Sequence, residues 1–344
     1  MNPIQADVVD SRLTKGLMLD LAQPIPLDHD ADIEEVRKLY LDFEVAASVG
    51  GEVLLSSVPV NPSIVRNLVK IHGVDNNEIE LYVSYPEDYE TSNKTYPCLL
   101  YIHGGGMAIF SANGPFYRVF AHAAVSTVGA IVVAVEYRTS VHGHVFPAGL
   151  NDCKSALDWV MDNKESQRIS RVIACGESGG TNLSAALVLL AKREGQGHYV
   201  DGVYAHCPYV SGQYNPAESE KASLFPSLRK FDNCGIVDLK GLHFMQRMYD
   251  PENQHTRNPL AWPLWASPEE LTGLPPFAIT LNEADPLYDE GLAFYRKLRA
   301  AGVRTVGRTV LGTCHAGDFL SVLAAPDLYR ATLYDLKAFV DSLL

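Results

Sequence analysis

Apolar residues along this chain fall into two patterns that take turns. Short runs at 98–102, 130–135, 171–175, 202–207 and 277–281 are almost free of polar residues. Runs of that length suit strands buried on both faces of a parallel sheet. A further strand fits 304–310. Between these, apolar positions recur at helical spacing around 116–127, 150–161, 181–193, 289–301 and 328–343. Strand and helix alternating in this order predict an α/β fold, with a mostly parallel central sheet and helices on both faces.

Two stretches break the alternation. Upstream of the first parallel run, 54–58 and 65–71 read as strands, and Ile79, Leu81 and Val83 alternate with polar residues, an antiparallel start to the sheet. Before them, residues 1–30 are polar and irregular, interrupted by Pro24 and Pro26. Asp32 with Glu35 then resembles a capping box, followed by Ile33, Val36, Leu39, Tyr40 and Phe43 at helical spacing. The second exception is 209–265, rich in aromatics and holding Pro216, Pro226, Pro251, Pro259 and Pro263. So long an irregular excursion in an α/β chain is usually a functional insertion. The expected division is 1–50 as the N-terminal part of a small cap, 51–208 as core, 209–265 as cap insertion, and 266–344 as core.

Candidate chemistry concentrates at strand ends. Gly176-Glu177-Ser178-Gly179-Gly180 joins an apolar strand to a helical pattern carrying Leu183, Ala186, Leu187 and Leu190. Strand, G-x-S-x-G turn and helix describe a nucleophile elbow with Ser178 exposed at the top of the sheet. His103-Gly104-Gly105-Gly106 directly follows the run 98–102. Consecutive glycines let backbone N–H groups converge on one point, so Gly104 and Gly105, with Gly179 after the serine, are the expected oxyanion donors. The loop lacks the Lys-Ser/Thr ending of a phosphate loop.

A serine nucleophile needs a base, and the base an acid that orients it. Of His198, His206, His243, His255 and His315, only His315 follows the last strand, on a short loop able to reach back over the sheet edge. Glu283, Asp285 and Asp289 compete for the acid. Pro286 keeps Asp285 out of a helix and in the loop, whereas Asp289 reads as the N-cap of the next helix. Asp285 is therefore the expected acid. Glu177 reads as a locally hydrogen-bonded group.

Composition narrows the partners. A net charge of −13 argues against nucleic acid, which needs concentrated Lys and Arg. The six cysteines, Cys98, Cys153, Cys175, Cys207, Cys234 and Cys314, form no C-x-x-C pair and read as buried free thiols. The first residues lack the basic and apolar regions of a signal peptide, and no run approaches the roughly 18 apolar residues of a membrane span. A cytoplasmic protein is expected. His142-Gly143-His144 has no third ligand at sensible spacing, so no metal is expected.

HGGGM at 103–107, GESGG at 176–180, DPLYDEG at 285–291 and His315 together resemble the hormone-sensitive-lipase-like branch of α/β-hydrolases, the HGGG carboxylesterases. The resemblance spans nearly the whole chain. It implies Ser178 as nucleophile, Asp285 as acid, His315 as base, Gly104, Gly105 and Gly179 as oxyanion donors, and a cap over the acyl and alcohol pockets. It further implies a serine carboxylic ester hydrolase without cofactor, working through an acyl-enzyme on short-to-medium acyl or ring-containing small-molecule esters. A homodimer is consistent with it. Lactone hydrolysis or acyl transfer by the same triad, and a non-catalytic receptor of the same fold, are the alternatives. Two departures stand out: GESGG replaces the usual GDSAG, and Ala316 follows the histidine where glycine is common.

Overall fold

A computed structural model describes residues 8–13, 25–215 and 224–343. Pro24, Pro216 and most of the irregular stretch expected over 1–30 lie outside those residues. Eight strands, β1 (Val65–His72), β2 (Glu78–Tyr85), β3 (Tyr96–Ile102), β4 (Ile131–Glu136), β5 (Ile169–Glu177), β6 (Gly202–His206), β7 (Phe277–Ala284) and β8 (Thr305–Cys314), form one sheet. Their order is β1-β2-β4-β3-β5-β6-β7-β8. The β1–β2 and β2–β4 pairs are antiparallel, and every later pair is parallel. This is an α/β-hydrolase sheet, with the antiparallel start where the alternation of Ile79, Leu81 and Val83 put it.

The pleat sends alternate residues of each central strand into two cores. On one face Leu99, Tyr101, Val132 and Ile173 pack with helices α2 (Pro115–Val128) and α10 (Pro326–Asp341). On the other, Cys98, Leu100, Val133, Val172 and Ala174 pack with helices α3 (Ala148–Asp162), α4 (Gly179–Arg193) and α8 (Tyr288–Ala300). Both faces being covered explains why these strands carry no polar alternation. All six cysteines are buried free thiols, four of them (Cys98, Cys153, Cys175 and Cys207) within these two layers.

Helix α1 (Ile33–Leu55) differs from expectation at both ends. Asp32 caps it by accepting the Glu34 N–H at 2.9 Å, one residue short of Glu35, so the predicted Asp32–Glu35 capping box is replaced by a simple N-cap. Of 54–58, expected as a strand, Leu54 and Leu55 end this helix and the rest turns away: that segment has no sheet neighbour, and a lone strand cannot satisfy its backbone. α1 packs against α2 and α6 (Leu239–Tyr249). Helix α6 lies in the stretch expected to be irregular, together with the single turn α5 (Ser227–Lys230). Two more one-turn helices, α7 (Pro268–Leu271) and α9 (Gly317–Leu320), are α-helical as well. Around Trp262, which is fully buried, the rings of Tyr209, Tyr214 and Tyr249 meet edge-on at 5.5–6.1 Å. Aromatic packing thus ties together a segment whose described regular structure is confined to short helices.

Candidate active site

Parallel pairing carries sequence-distant groups to one edge of the sheet. In the β7–β8 pair Ala284 lies opposite Cys314, after a register shift at Asn282. Asp285 and His315 are the next residues on each strand, so the two side chains leave the sheet next to each other. In the β5–β6 pair Glu177 lies opposite His206. The Ser178 N–H then donates to the His206 carbonyl at 2.9 Å, which brings the serine to the same C-terminal edge.

The turn that presents Ser178 is strained. The serine sits at φ 55 and ψ −118, a region costly for a residue with a Cβ. Thr181 Oγ1 holds it by donating between the carbonyls of Gly176 and His206, at 2.8 and 2.9 Å. The elbow also runs against β3: a Cβ on Gly180 would collide with the Ile102 carbonyl oxygen. Helix α4 starts at Gly179, so its unpaired N–H groups lie directly beneath the serine.

Ser178, His315 and Asp285 form one hydrogen-bonded chain. His315 Nδ1 is 2.8 Å from Asp285 Oδ2, and Nε2 is 2.9 Å from Ser178 Oγ. A carboxylate only accepts, so Nδ1 carries the hydrogen and the Nε2 lone pair faces the serine hydroxyl. Asp285 is fixed in turn: its Oδ1 accepts the Leu287 N–H at 2.8 Å, and its carbonyl accepts the Tyr288 N–H at 3.1 Å. All three side chains are buried. Burial alone would lower the His315 imidazole, but the adjacent Asp285 charge and hydrogen bond, with the charges of Glu177 and Glu290, hold it above its usual value.

Behind the histidine lies a support that the sequence reading missed. Asn282 Oδ1 accepts the Ala316 N–H at 3.2 Å, and its Nδ2 donates to Thr313 Oγ1 and Asp318 Oδ1, both at 2.7 Å. Asp318 also lies 3.1 Å from His206 Nε2. Burial would raise the Asp318 carboxyl, yet the His206 charge and three hydrogen-bonding partners hold it well below the usual carboxylate range. These residues are scattered through the sequence without a shared motif, so no linear signal announced them.

The glycine loop departs from expectation at one position. Tyr137, stacked on the His103 ring at 4.2 Å, donates its hydroxyl to the carbonyls of His103 and Gly104 at 2.9 and 3.2 Å. The Gly104 N–H donates to Glu177 Oε1 at 2.7 Å and is therefore committed. It corrects the expectation of Gly104 as an oxyanion donor. Among the described residues none accepts from the N–H of Gly105, Gly106 or Gly179. A Cβ on Gly179 would lie 2.7 Å from Gly106 N, so elbow and loop meet backbone to backbone. Gly106 was overlooked although the third glycine of the motif marks it.

The other candidates are engaged elsewhere. Glu283 Oε2 accepts the Gly312 N–H at 2.8 Å across the β7–β8 irregularity. Asp289 is not an N-cap; α8 begins one residue earlier, and Asp289 Oδ2 accepts the Ser227 N–H at 2.7 Å. Glu177 is bonded not locally but across the fold, to Gly104 and to the Tyr101 hydroxyl at 2.9 Å. His198 packs edge-on against Tyr199 and His255 lies against Phe146. His142 lies 3.9 Å from Glu44. Among the described residues no three His, Cys, Asp or Glu side chains gather as a metal site. No described helix is long and apolar enough to cross a membrane. A cavity of about 680 Å³ opens onto Ser178 and His315, walled by Tyr40, Phe43, Ile109, Phe110, Tyr117 and Met245.

Comparison with known proteins points the same way. A family profile described as the α/β-hydrolase fold matches residues 99–318. Carboxylesterase NlhH of Mycobacterium tuberculosis is 31% identical over 289 residues, spanning 79% of this chain and 84% of its own length. The solved structure of brefeldin A esterase, titled a bacterial homologue of human hormone-sensitive lipase, superposes with a TM-score of 0.85 at 34% identity, covering 100% of this chain and 94% of its own. Esterase Est22 superposes at 0.81 with 31% identity, covering 96% and 97%. The chain belongs to the α/β-hydrolase fold family, as a carboxylesterase of its hormone-sensitive-lipase-like branch.

Proposed function

We propose that the protein hydrolyses small-molecule carboxylic esters through an acyl-enzyme on Ser178, with His315 as general base and Asp285 as its orienting acid. The observation that carries this reading is the unbroken chain Ser178 Oγ, His315 Nε2, His315 Nδ1, Asp285 Oδ2, with links of 2.9 and 2.8 Å. His315 takes the serine proton as Oγ attacks the ester carbonyl, and Asp285 stabilises the imidazolium. The oxyanion faces the uncommitted N–H groups of Gly105, Gly106 and Gly179, aided by the positive end of α4. The imidazolium then protonates the departing alcohol. Water, deprotonated by the same imidazole, attacks the acyl-enzyme and releases the acid.

Cavity size and lining support the substrate class. About 680 Å³ of mostly apolar and aromatic wall accommodates a short-to-medium acyl chain together with a ring-bearing alcohol. α1 and residues from the 209–265 stretch supply part of that wall, which supports their role as a cap over the core. Six free cysteines are consistent with a reducing, cytoplasmic setting.

Labelling with a fluorophosphonate, followed by peptide mapping, tests the assignment. The label is expected on Ser178, and Ser178→Ala or His315→Ala is expected to lower kcat on nitrophenyl esters by roughly 10⁴ to 10⁶ while the protein stays folded. A label on another residue, or turnover retained in both variants, would overturn it. Varying the acyl chain at fixed alcohol reads the substrate class: kcat/KM peaking on short-to-medium chains is the expected result.

A further inference from the structure

One buried carboxyl group beside the nucleophile has no part in the mechanism above. Glu177, the residue before Ser178, is 5% exposed and joins three separate elements. Its Oε1 accepts the Gly104 N–H at 2.7 Å, and its Oε2 accepts the Tyr101 hydroxyl at 2.9 Å. Tyr117 of α2 faces it as well, and the Glu177 charge helps to push that hydroxyl up. So close is the loop that a Cβ on Gly104 would strike Oε1. A void of about 10 Å³ borders Glu177, room for no more than one water, and Glu177 also lines the large cavity beside Ser178.

From this geometry we infer that ionised Glu177 is a positioning residue for the oxyanion donors: by holding the Gly104 N–H it sets the next two peptides, those of Gly105 and Gly106, facing Ser178. The inference rests on the reading of Ser178 as nucleophile. Elbow and glycine loop come from different strands, and the two glycines past Gly104 sit at φ 90 and φ 62, where glycine backbone is freest to move. Something must fix their direction. Tyr137 fixes the carbonyl side of the loop, and Glu177 supplies the matching acceptor on the N–H side. Because Glu177 and Ser178 are neighbours in the chain, donor loop and nucleophile are referenced to one another through a single residue.

Only the carboxylate can accept from Gly104 on one oxygen and from Tyr101 on the other without giving up an oxygen to its own proton. Burial pushes the Glu177 carboxyl up to about 7, against the pull of Tyr101, Gly104 and the His206 charge. The groups facing it are Tyr101 and Tyr137 from either side of the glycine loop, Tyr117 of α2, Cys175 on its own strand, His206 and Cys207 at the end of β6, and His315. A folded-state value above the ordinary one means the neutral form grows as pH falls through about 7. Turnover then loses the positioned donors in the same range where His315 becomes protonated. The Glu177 charge also raises His315, so removing it moves the histidine limb to lower pH.

Steady-state kinetics of Glu177→Gln and Glu177→Ala on a nitrophenyl ester, from pH 5 to 9, test the inference. At pH 8, kcat is expected to fall about 10-fold in Glu177→Gln and about 100-fold in Glu177→Ala, with KM within about 3-fold. The unmodified protein should show a log kcat slope on the acid side steeper than one. Glu177→Gln should show a slope of one, displaced to lower pH, and melt no lower than the unmodified protein at pH 8. A kcat within 2-fold of the unmodified protein in Glu177→Gln, a loss falling on KM, or an unchanged acid limb would overturn it. If the unmodified protein neither hydrolyses the ester nor labels at Ser178, the functional reading itself fails; intact turnover and labelling with indifferent Glu177 variants defeats this inference alone.

Discussion

At the scale of single residues, function depends on which hydrogen-bonding groups are committed and which are left open. Asp285 is held by the N–H of Leu287, and the Gly104 N–H is held by Glu177, whereas the His315 Nε2 lone pair is free to accept from Ser178. His315 must be neutral to act, and its surroundings raise it above the ordinary imidazole value of about 6.5. The sign follows directly: activity is full well above that value and lost as the proton is taken up. A pH profile of kcat/KM should show its acid limb centred above pH 6.5, and a profile flat down to pH 5 would contradict His315 as base. The elbow carries a second residue-scale expectation. Gly180→Ala forces a Cβ onto the Ile102 carbonyl oxygen. The clash is with buried strand backbone on one side and the first turn of α4 on the other, so it has no cheap relief, and destabilisation of about 2–3 kcal/mol is expected in denaturant titration.

At the scale of elements, two strand ends and one irregular segment decide the site. The shift at Asn282 in the β7–β8 pair is what brings Asp285 level with His315. An unshifted ladder would run the two chains out of the sheet at different heights. The 209–265 stretch is organised instead by Trp262 and the three tyrosines around it. Trp262→Ala should cost about 3–5 kcal/mol, and limited proteolysis should cut within 209–265 before the sheet core. Equal protection of that stretch and of the core would show that Trp262 is not its anchor. Glu290 ties the same stretch to α8, its carboxylate accepting from the N–H groups of Val210 and Ser211 and the hydroxyls of Ser211 and Tyr214 at 2.6–3.2 Å.

For the whole molecule, the buried carboxyl groups set how stability depends on pH. Burial pushes Glu136, Glu177 and Glu290 each up to about 7. A folded-state value above that of the unfolded chain means that folding takes up protons. The stability these groups contribute is complete below the ordinary glutamate range and lost as pH rises through about 7. Raised His315 acts in the same direction; His103, which burial lowers to about 3, opposes it only below the ordinary imidazole range. Unfolding free energy should therefore be on the order of 2 kcal/mol greater at pH 6.5 than at pH 8. Calorimetric melts at the two pH values check this, and a higher melting point at pH 8 would contradict it.

Much of this arrangement was legible along the chain. A strand buried on both faces must be apolar throughout, so 98–102, 130–135 and 171–175 announced the parallel core by themselves. Local motifs such as G-x-S-x-G and HGGG pointed to the elbow and the glycine loop, because tight turns and close backbone approach admit few residue types. What the sequence could not decide was the direction of each group at the meeting point. Gly104 and Gly106 are chemically the same residue, and only the Glu177 carboxylate, brought over by the pairing of β3 with β5, distinguishes the committed N–H from the open one. The Asn282–Asp318–His206 support and the Trp262 cluster were hidden for the same reason. Periodicity and motifs record what each stretch demands of its own backbone and faces, whereas hydrogen-bond partners chosen across strands exist only once the chain has closed on itself.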